Sequence, residues 1–397
     1  MLAISKRTLP NGAISIRRRL HQVSTVVGAM LVLTPFLASA QQPAVPRWRG
    51  TIDLTVGGES GVGNADLSRV SGIAVDATGR IFIADSDDQQ IRVFSSKGAS
   101  LASFGRKGAG PLEFKGLRTI AFGPDQRLWV RDEGNVRMMT FDVSAFPVTS
   151  STTTPLGLYS GGSQLPITFE RSGERVDEKT WFDERTEVFR PLRVRVSSTG
   201  TVLRVDTLAI PPDADAGVYT VTNVQRDASR EVIGMRSRIH YQPFGPRWIR
   251  AYGPKGMRAD VVGSTYAVRV FDGTGKLVRT ISRTVPPVPL STAERQQADS
   301  QLKAMPSTVP FGMPRAKAPV VGLHWSLDGA LWVERAMPDG QPREADVFDA
   351  SGKRIAIAVW PRSIHLMASL AVIQGKTGYA LAFDDSDLPS VVRLTFR

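Results

Sequence analysis

Acidic side chains recur in this chain where apolar runs give way to polar loops. Asp85, Asp132 and Asp384 stand at three such junctions, and Arg335 stands at a fourth. Asp87, Asp88, Glu133, Asp339, Asp385 and Asp387 lie beside them. If these loops share one face, their carboxylates converge, and convergent carboxylates bind a hard cation such as Ca²⁺ or a basic ligand. Asp opening a turn also has a structural use, because its side chain accepts hydrogen bonds from backbone a little further on. Asp85, Asp132, Arg335 and Asp384 therefore mark a candidate binding face.

Three histidines follow the first forty residues: His240, His324 and His365. They fall in different segments of the pattern, so a ring-shaped fold would let them meet on its axis and hold Zn²⁺. No H-x-x-x-H spacing places two of them on one element. His324 aligns with Ala74 and Ala121, which makes it the histidine that would face a central channel. A packed or solvated imidazole is the ordinary alternative for each. The chain has no cysteine, so it has no disulfide, thiolate metal site or thiol nucleophile. GRKGAG (105–110) lacks the G-K-[ST] of a phosphate loop. No G-x-S-x-G elbow occurs. No cofactor is expected, Ca²⁺ or Zn²⁺ being the ions this donor set would take.

The elements that must carry these residues are short strands. Gly72 to Gly105 reads as four of them, Ile73 to Asp76, Arg80 to Ala84, Ile91 to Phe94 and Leu101 to Phe104, separated by Gly, Asp and Ser turns. One such unit buries too little alone and must be repeated. Leu117 to Asp142 aligns on it without gaps: Ile120 on Ile73, Trp129 on Phe82, Asp132 on Asp85, Phe141 on Phe94. These units resemble NHL repeats, a β-propeller blade family. The second keeps that family's Asn and Arg as Asn135 and Arg137, whereas the first carries Asp88 and Gln90 there. The loop FGRKGAGPLEF resembles the blade linker of bacterial six-bladed NHL-like propellers. The resemblance implies a binding or scaffolding propeller, or a lactonase- or lyase-like enzyme with a central divalent metal.

Later blades are more divergent. Residues 155–212, 247–281 and 321–359 read as a third, fourth and fifth, with Trp332 on the Phe82 position. Trp129 and Trp332 read as inter-blade core. After Pro361 come three apolar runs, and a fourth strand is missing. The orphan strand TIDLTVG (51–57) supplies it. Pairing the two hides the sheet edges and closes a ring. The expected fold is all-β: a six-bladed β-propeller of four-stranded antiparallel blades, closed by an N-terminal strand completing the C-terminal blade. Counts of five or seven stay open because residues 143–246 are poorly patterned. One short helix is expected after the capping box Ser291-Thr292-Ala293-Glu294, within an insertion spanning about 283–319. The insertion reads as a packing plug or as a lid.

Residues 1–40 read as a secretory signal peptide. Arg17-Arg18-Arg19 precedes the apolar run Val23 to Leu37 and the small-residue site Ala38-Ser39-Ala40. Residues 41–397 are then a single propeller domain, periplasmic or secreted from a bacterium, with no membrane span after cleavage. The formal charge is +13, and without the five basic residues of 1–40 there remain 45 basic side chains against 37 acidic ones. That excess is too mild to direct the chain to nucleic acid. The expectation is a monomeric binding module for a small molecule or an envelope or extracellular protein, with the metal-dependent lactonase or lyase as the alternative.

Overall fold

Turn chemistry sets the strand lengths. Asp76 accepts hydrogen bonds from the amides of Thr78 (2.9 Å) and Arg80 (2.8 Å), and Gly79 follows at φ +83°. Asp272 does the same for Thr274 and Lys276 (2.9 and 3.0 Å), with Gly275 at +89°. Asp349 does so for Ser351 and Lys353 (2.8 and 3.0 Å), with Gly352 at +85°. Left-handed φ costs glycine nothing, so an Asp-x-x-Gly string reverses the chain in a fixed number of residues.

The computed structural model describes residues 45–58, 61–62, 66–156, 167–183, 185, 188–229, 232–367, 370–384 and 386–397. The proposed signal peptide lies outside the described residues. Four antiparallel strands make each blade. Blade 1 is Val70–Val75, Ile81–Asp85, Gln90–Phe94 and Ser100–Phe104; blade 2 is Leu117–Phe122, Leu128–Asp132, Arg137–Phe141 and Thr152–Pro155. Blade 3 is Thr168–Phe169, Arg175–Asp183, Val188–Val196 and Val202–Thr207; blade 4 is Trp248–Tyr252, Arg258–Val262, Ala267–Phe271 and Leu277–Ser282. Blade 5 is Val320–Trp325, Leu331–Arg335, Arg343–Phe348 and Arg354–Trp360. Blade 6 has Ala371–Gln374, Thr377–Phe383 and Pro389–Phe396, and its fourth strand is β1, Arg47–Gly57. The fold is a six-bladed β-propeller.

Strand β1 does more than the orphan strand was expected to do. Gly50 to Gly57 pair antiparallel with Phe396 to Ser390, closing blade 6. Arg47 to Arg49 pair parallel with Ile357 to Val359, the outer strand of blade 5. One strand thus stitches two blades into a continuous eight-stranded sheet. Its apolar end is core: Val56 is fully buried among Ile73, Tyr379 and Val391, between blades 6 and 1.

Most blades meet through apolar side chains. Phe82, Phe104, Phe114 and Phe141 fill the gap between blades 1 and 2. Trp332, Trp360 and Phe396 fill that between blades 5 and 6, with Trp332 and Phe396 edge to face at 5.0 Å. Both tryptophans of the repeat, Trp129 and Trp332, are buried as expected.

Blade 3 departs from this scheme. Its turn register places Asp177, Glu178 and Lys179 where blade 1 has Ile83, Ala84 and Asp85. Buried Asp177 bridges Arg131 of blade 2 and Arg175 of its own blade, each at 3.0 Å. Glu178 accepts from the Arg250 Nε (2.9 Å) and the Tyr252 hydroxyl (2.8 Å) of blade 4. Arg193 donates to Glu170 at 2.8 Å and to the carbonyls of Gly256 and Gly273 in blade 4 at 3.2 and 2.7 Å. Buried ion pairs thus reinforce both flanks of this blade, beside the apolar contact of Trp129 of blade 2 with Phe169 (5.4 Å). An additional hairpin, Val218–Arg226 and Val232–Tyr241, follows it and forms its own two-stranded sheet.

Removing one member of a buried charge cluster leaves the others without compensation, at about 3–5 kcal/mol. Asp177→Ala is therefore expected to destabilise the domain by about that amount in urea titrations, and by more than Val→Ala changes in the same blade. A loss under about 1 kcal/mol would show that the cluster does not join blades 2 and 3.

Candidate functional site

The loops between second and third strands, together with the connections between blades, define one face of the ring. Asp85 and Asp132 begin such loops and are fully buried. Asp85 accepts from the amides of Ser68 (2.8 Å) and Arg69 (3.0 Å), with Arg92 at 3.8 Å. Asp132 accepts from the amides of Lys115 (3.0 Å) and Gly116 (2.9 Å), from Asn135 Nδ2 (2.7 Å) and from Arg137 Nε (3.1 Å). Both carboxylates tie down the segment entering their own blade. Asn135 and Arg137 extend the clamp to the glycine-rich loop. Asn135 donates to the Gly108 carbonyl (2.9 Å), and Arg137 donates to the carbonyls of Ala109 (2.8 Å) and Gly110 (2.9 Å). The Asn and Arg of the repeat thus have a mechanical role here.

Asp384 sits in the last hairpin and accepts from the amides of Ser386 (3.0 Å) and Leu388 (2.9 Å). It lies beside Gly58, where a Cβ would come within 3.1 Å of its Oδ2. Its neighbour Asp385 is outside the described residues. Among the described residues no three His, Asp or Glu side chains gather closely enough to hold a metal ion. Asp85, Asp132 and Asp384 are dispersed around the face, each engaged in its own blade.

His324, on the first strand of blade 5, lines the central channel, as its alignment with Ala74 and Ala121 predicts. Arg335, in the same blade, lines a cleft of about 710 Å³ on the loop face. Its floor includes Glu334, Arg335 and Arg343, with His365 at its edge. Its roof is the insertion, whose helix α1 (Thr292–Lys303) carries Glu294, Gln297 and Gln301 into the lining. The foot of the extra hairpin, Tyr241 to Gly245, supplies another wall.

Glu334 is nine-tenths or more buried and joins two groups. His324 Nε2 lies 3.3 Å from its Oε2, and Arg343 donates to its Oε1 at 2.6 Å. Arg343 in turn lies 2.7 Å from His365 Nδ1. Two of the three histidines are therefore linked through one ion pair, while His240 lies on the hairpin opposite Tyr219. Next to it, Arg335 is held by Glu344 and lies 3.5 Å from Asp346. Glu344 also takes Arg47 of β1, and Asp346 accepts from the Tyr266 hydroxyl at 2.8 Å. Burial and the Asp346 charge push the Tyr266 hydroxyl well above the ordinary tyrosine range.

The helix is fastened at its start. Ser291 and Glu294 complete the expected capping box. Ser291 Oγ donates to Asp339 at 3.0 Å, and Lys317 joins Glu294 while donating to the Met337 carbonyl at 2.8 Å. The insertion is thereby anchored over the cleft, and its Leu290, Ala298 and Val309 are buried. Glu334, Arg343, Glu344 and Asp346 are absent from the sequence-based candidates. The readable signal was Glu334, a charge where the repeat has the apolar Ala84.

This fold has counterparts among known proteins. A protein-family model described as a 6-bladed beta-propeller matches residues 64–161. No curated protein matches the chain. Among solved structures, virginiamycin B lyase from Staphylococcus aureus shows 12% identity and a TM-score of 0.41, over 84% of this chain and 96% of that one. A gluconolactonase from Xanthomonas campestris shows 14% identity and 0.39, over 84% and 88%. The PQQ-bound aldose sugar dehydrogenase of Streptomyces coelicolor shows 11% and 0.41, over 89% and 100%. At this level of likeness their activities carry nothing over to this chain.

The cleft makes stability depend on pH. Burial alone would raise the Glu334 carboxyl, but the hydrogen bonds and charges of His324 and Arg343 outweigh it and hold the carboxyl below its usual range. Burial, then the Arg343 charge, lowers the His365 imidazole. Both groups bind protons more weakly folded than unfolded. Their stabilisation is complete above the unfolded values, about 6.5 for His and 4.3 for Glu, and is lost as pH falls through the folded ones. Urea midpoints should fall from pH 7 towards about pH 4. His365→Gln should flatten the upper part of that fall and Glu334→Gln the lower part. A midpoint that rises on acidification in the parent, or a slope unchanged in both variants, would contradict the assignment.

Proposed function

We propose that this protein is an exported binding propeller, periplasmic or secreted, that takes a polar ligand bearing a carboxylate or phosphate in the loop-face cleft. The observation that carries this reading is the state of the charges lining the cleft. Glu294, Glu334 and Asp339 already accept hydrogen bonds or ion pairs from neighbouring protein groups. Arg247 and Arg362 also line it, and neither makes an ion pair with a carboxylate among the described residues. Arg247 stacks over Tyr241 at 4.5 Å, a contact that leaves its donors for a partner. Gln297, Gln301 and Gln341 add neutral donors and acceptors. A site with satisfied carboxylates, spare guanidinium groups and several amides favours an anionic, hydrogen-bonding ligand. Its volume is within the usual range of small-molecule sites. The ion-pair network of blade 5 supports these groups from beneath and fixes their positions.

Residues 41–397, purified, should be stabilised against heat by one member of a panel of acidic sugars, phosphorylated sugars and acidic peptides, as linkage requires. Arg247→Ala and Arg362→Ala should each weaken that ligand by about tenfold or more by calorimetry, as expected for a lost charge-assisted hydrogen bond. Turnover of a lactone or cleavage of the bound ligand would overturn a non-enzymatic role. Binding unaffected by both substitutions would remove the ligand from this cleft.

A further inference from the structure

A second cavity, of about 580 Å³, lies on the ring axis. Each of the six blades gives it the end of its first strand, and five of them also the start of the following turn. Its mouth is therefore ringed by the turns between first and second strands, on the face opposite the cleft. Its body is apolar and aromatic, with Ile120, Phe122, Phe169, Tyr252, Trp325 and Val372 among the lining.

Trp325 gives the lining its largest ring, while its Nε1 is itself buried and not exposed to the open space. The ring is set by its approach to Gly253, where a Cβ would lie 2.5 Å from the indole Cδ2. Any larger residue at 253 would displace it.

The charges at the mouth are unequal in availability. Asp76 holds Arg80 Nε at 2.6 Å. Glu170 holds Arg193 at 2.8 Å and Arg195 at 3.0 Å. Both rim carboxylates are neutralised by their own arginines. Arg171 and Lys255, from neighbouring blades, are exposed at the rim and make no ion pair among the described residues. Lys255 has a left-handed φ of +60° between Pro254 and Gly256, a conformation uncommon for lysine. Leu327, on the same rim, leaves more than half of its surface in solvent.

We infer that the axial cavity binds an acidic amphiphile. Its ring-bearing or branched apolar body occupies the axis, while its anionic head meets Arg171 and Lys255 at the mouth. The site opens on the other face from the cleft and is joined to it by the contact of His324, in this lining, with Glu334.

Two fluorescent probes test this: anilinonaphthalene sulfonate, which is anionic, and N-phenylnaphthylamine, which is neutral. Each is titrated into residues 41–397 at low ionic strength. Both should bind once per chain and quench tryptophan emission. The exposed double variant Arg171→Glu/Lys255→Glu should weaken the sulfonate by about tenfold and leave the neutral probe unchanged. Val372→Trp, which narrows the cavity, should weaken both, with near-ultraviolet circular dichroism confirming the folded state. Arg362→Ala, in the cleft, should change neither, so failure of the cleft reading leaves this result intact. Sulfonate affinity indifferent to charge reversal overturns the acidic head. Affinity for both probes unchanged by Val372→Trp in a folded protein, or absence of binding by both probes, overturns the cavity as a site.

Discussion

The pairing of β1 with the strand Pro389–Phe396 is the constraint on which the rest of this structure depends. The backbone ladders run within blades, and neighbouring blades meet mainly through side chains. A strand that crosses the seam therefore adds what the other blade junctions lack. Here the residues just after Ala44 cross it twice, parallel along blade 5 and antiparallel along blade 6. The strand ends with Val56 buried against blade 1, so the seam is sealed by burial as well as by hydrogen bonds. Arg47, on the same strand, reaches Glu344 beneath the cleft. Closure of the ring and support of the candidate site are thus linked through one side chain.

Two kinds of adhesive hold neighbouring blades together. Around blades 5, 6, 1 and 2 it is aromatic and aliphatic packing, which is non-directional and tolerant of small displacements. Around blade 3 buried ion pairing, which is directional and fails when one member is lost, is added to apolar contacts such as that of Trp129 with Phe169. The ion pairs fix the relative setting of blades 2, 3 and 4, whose first strands form one half of the axial wall. Blade 5 uses both kinds: Trp332 packs towards blade 6, while Glu334 two residues on links His324, Arg343 and the cleft.

Much of this architecture is legible in the sequence. The repeated four-stranded blade, the closing strand and the capped helix follow from short β-rich runs, Asp-x-x-Gly turns and one orphan strand, which are local signals, whereas the count of six is settled by the structure. Residues 143–246 are harder to read, for a physical reason. Blade 3 puts Asp177 and Glu178 where the repeat is apolar, so its periodicity breaks, and its partners Arg131 and Arg250 are distant in sequence. The long hairpin ending at Tyr241 pairs only with itself and so leaves no blade-like pattern. The face of Asp85 and Asp132 was readable, but their engagement by backbone amides from the preceding linker was not. The cleft itself arises from an insertion folding over blade 5, a juxtaposition that sequence periodicity does not encode.

Amide hydrogen exchange along β1 addresses ring closure most directly. If β1 is an integral strand of blade 6, peptides covering residues 50–57 exchange as slowly as those covering 389–396, through the same cooperative opening. Exchange of 50–57 orders of magnitude faster than 389–396 in the folded protein would mean that the ring is held without its N-terminal strand.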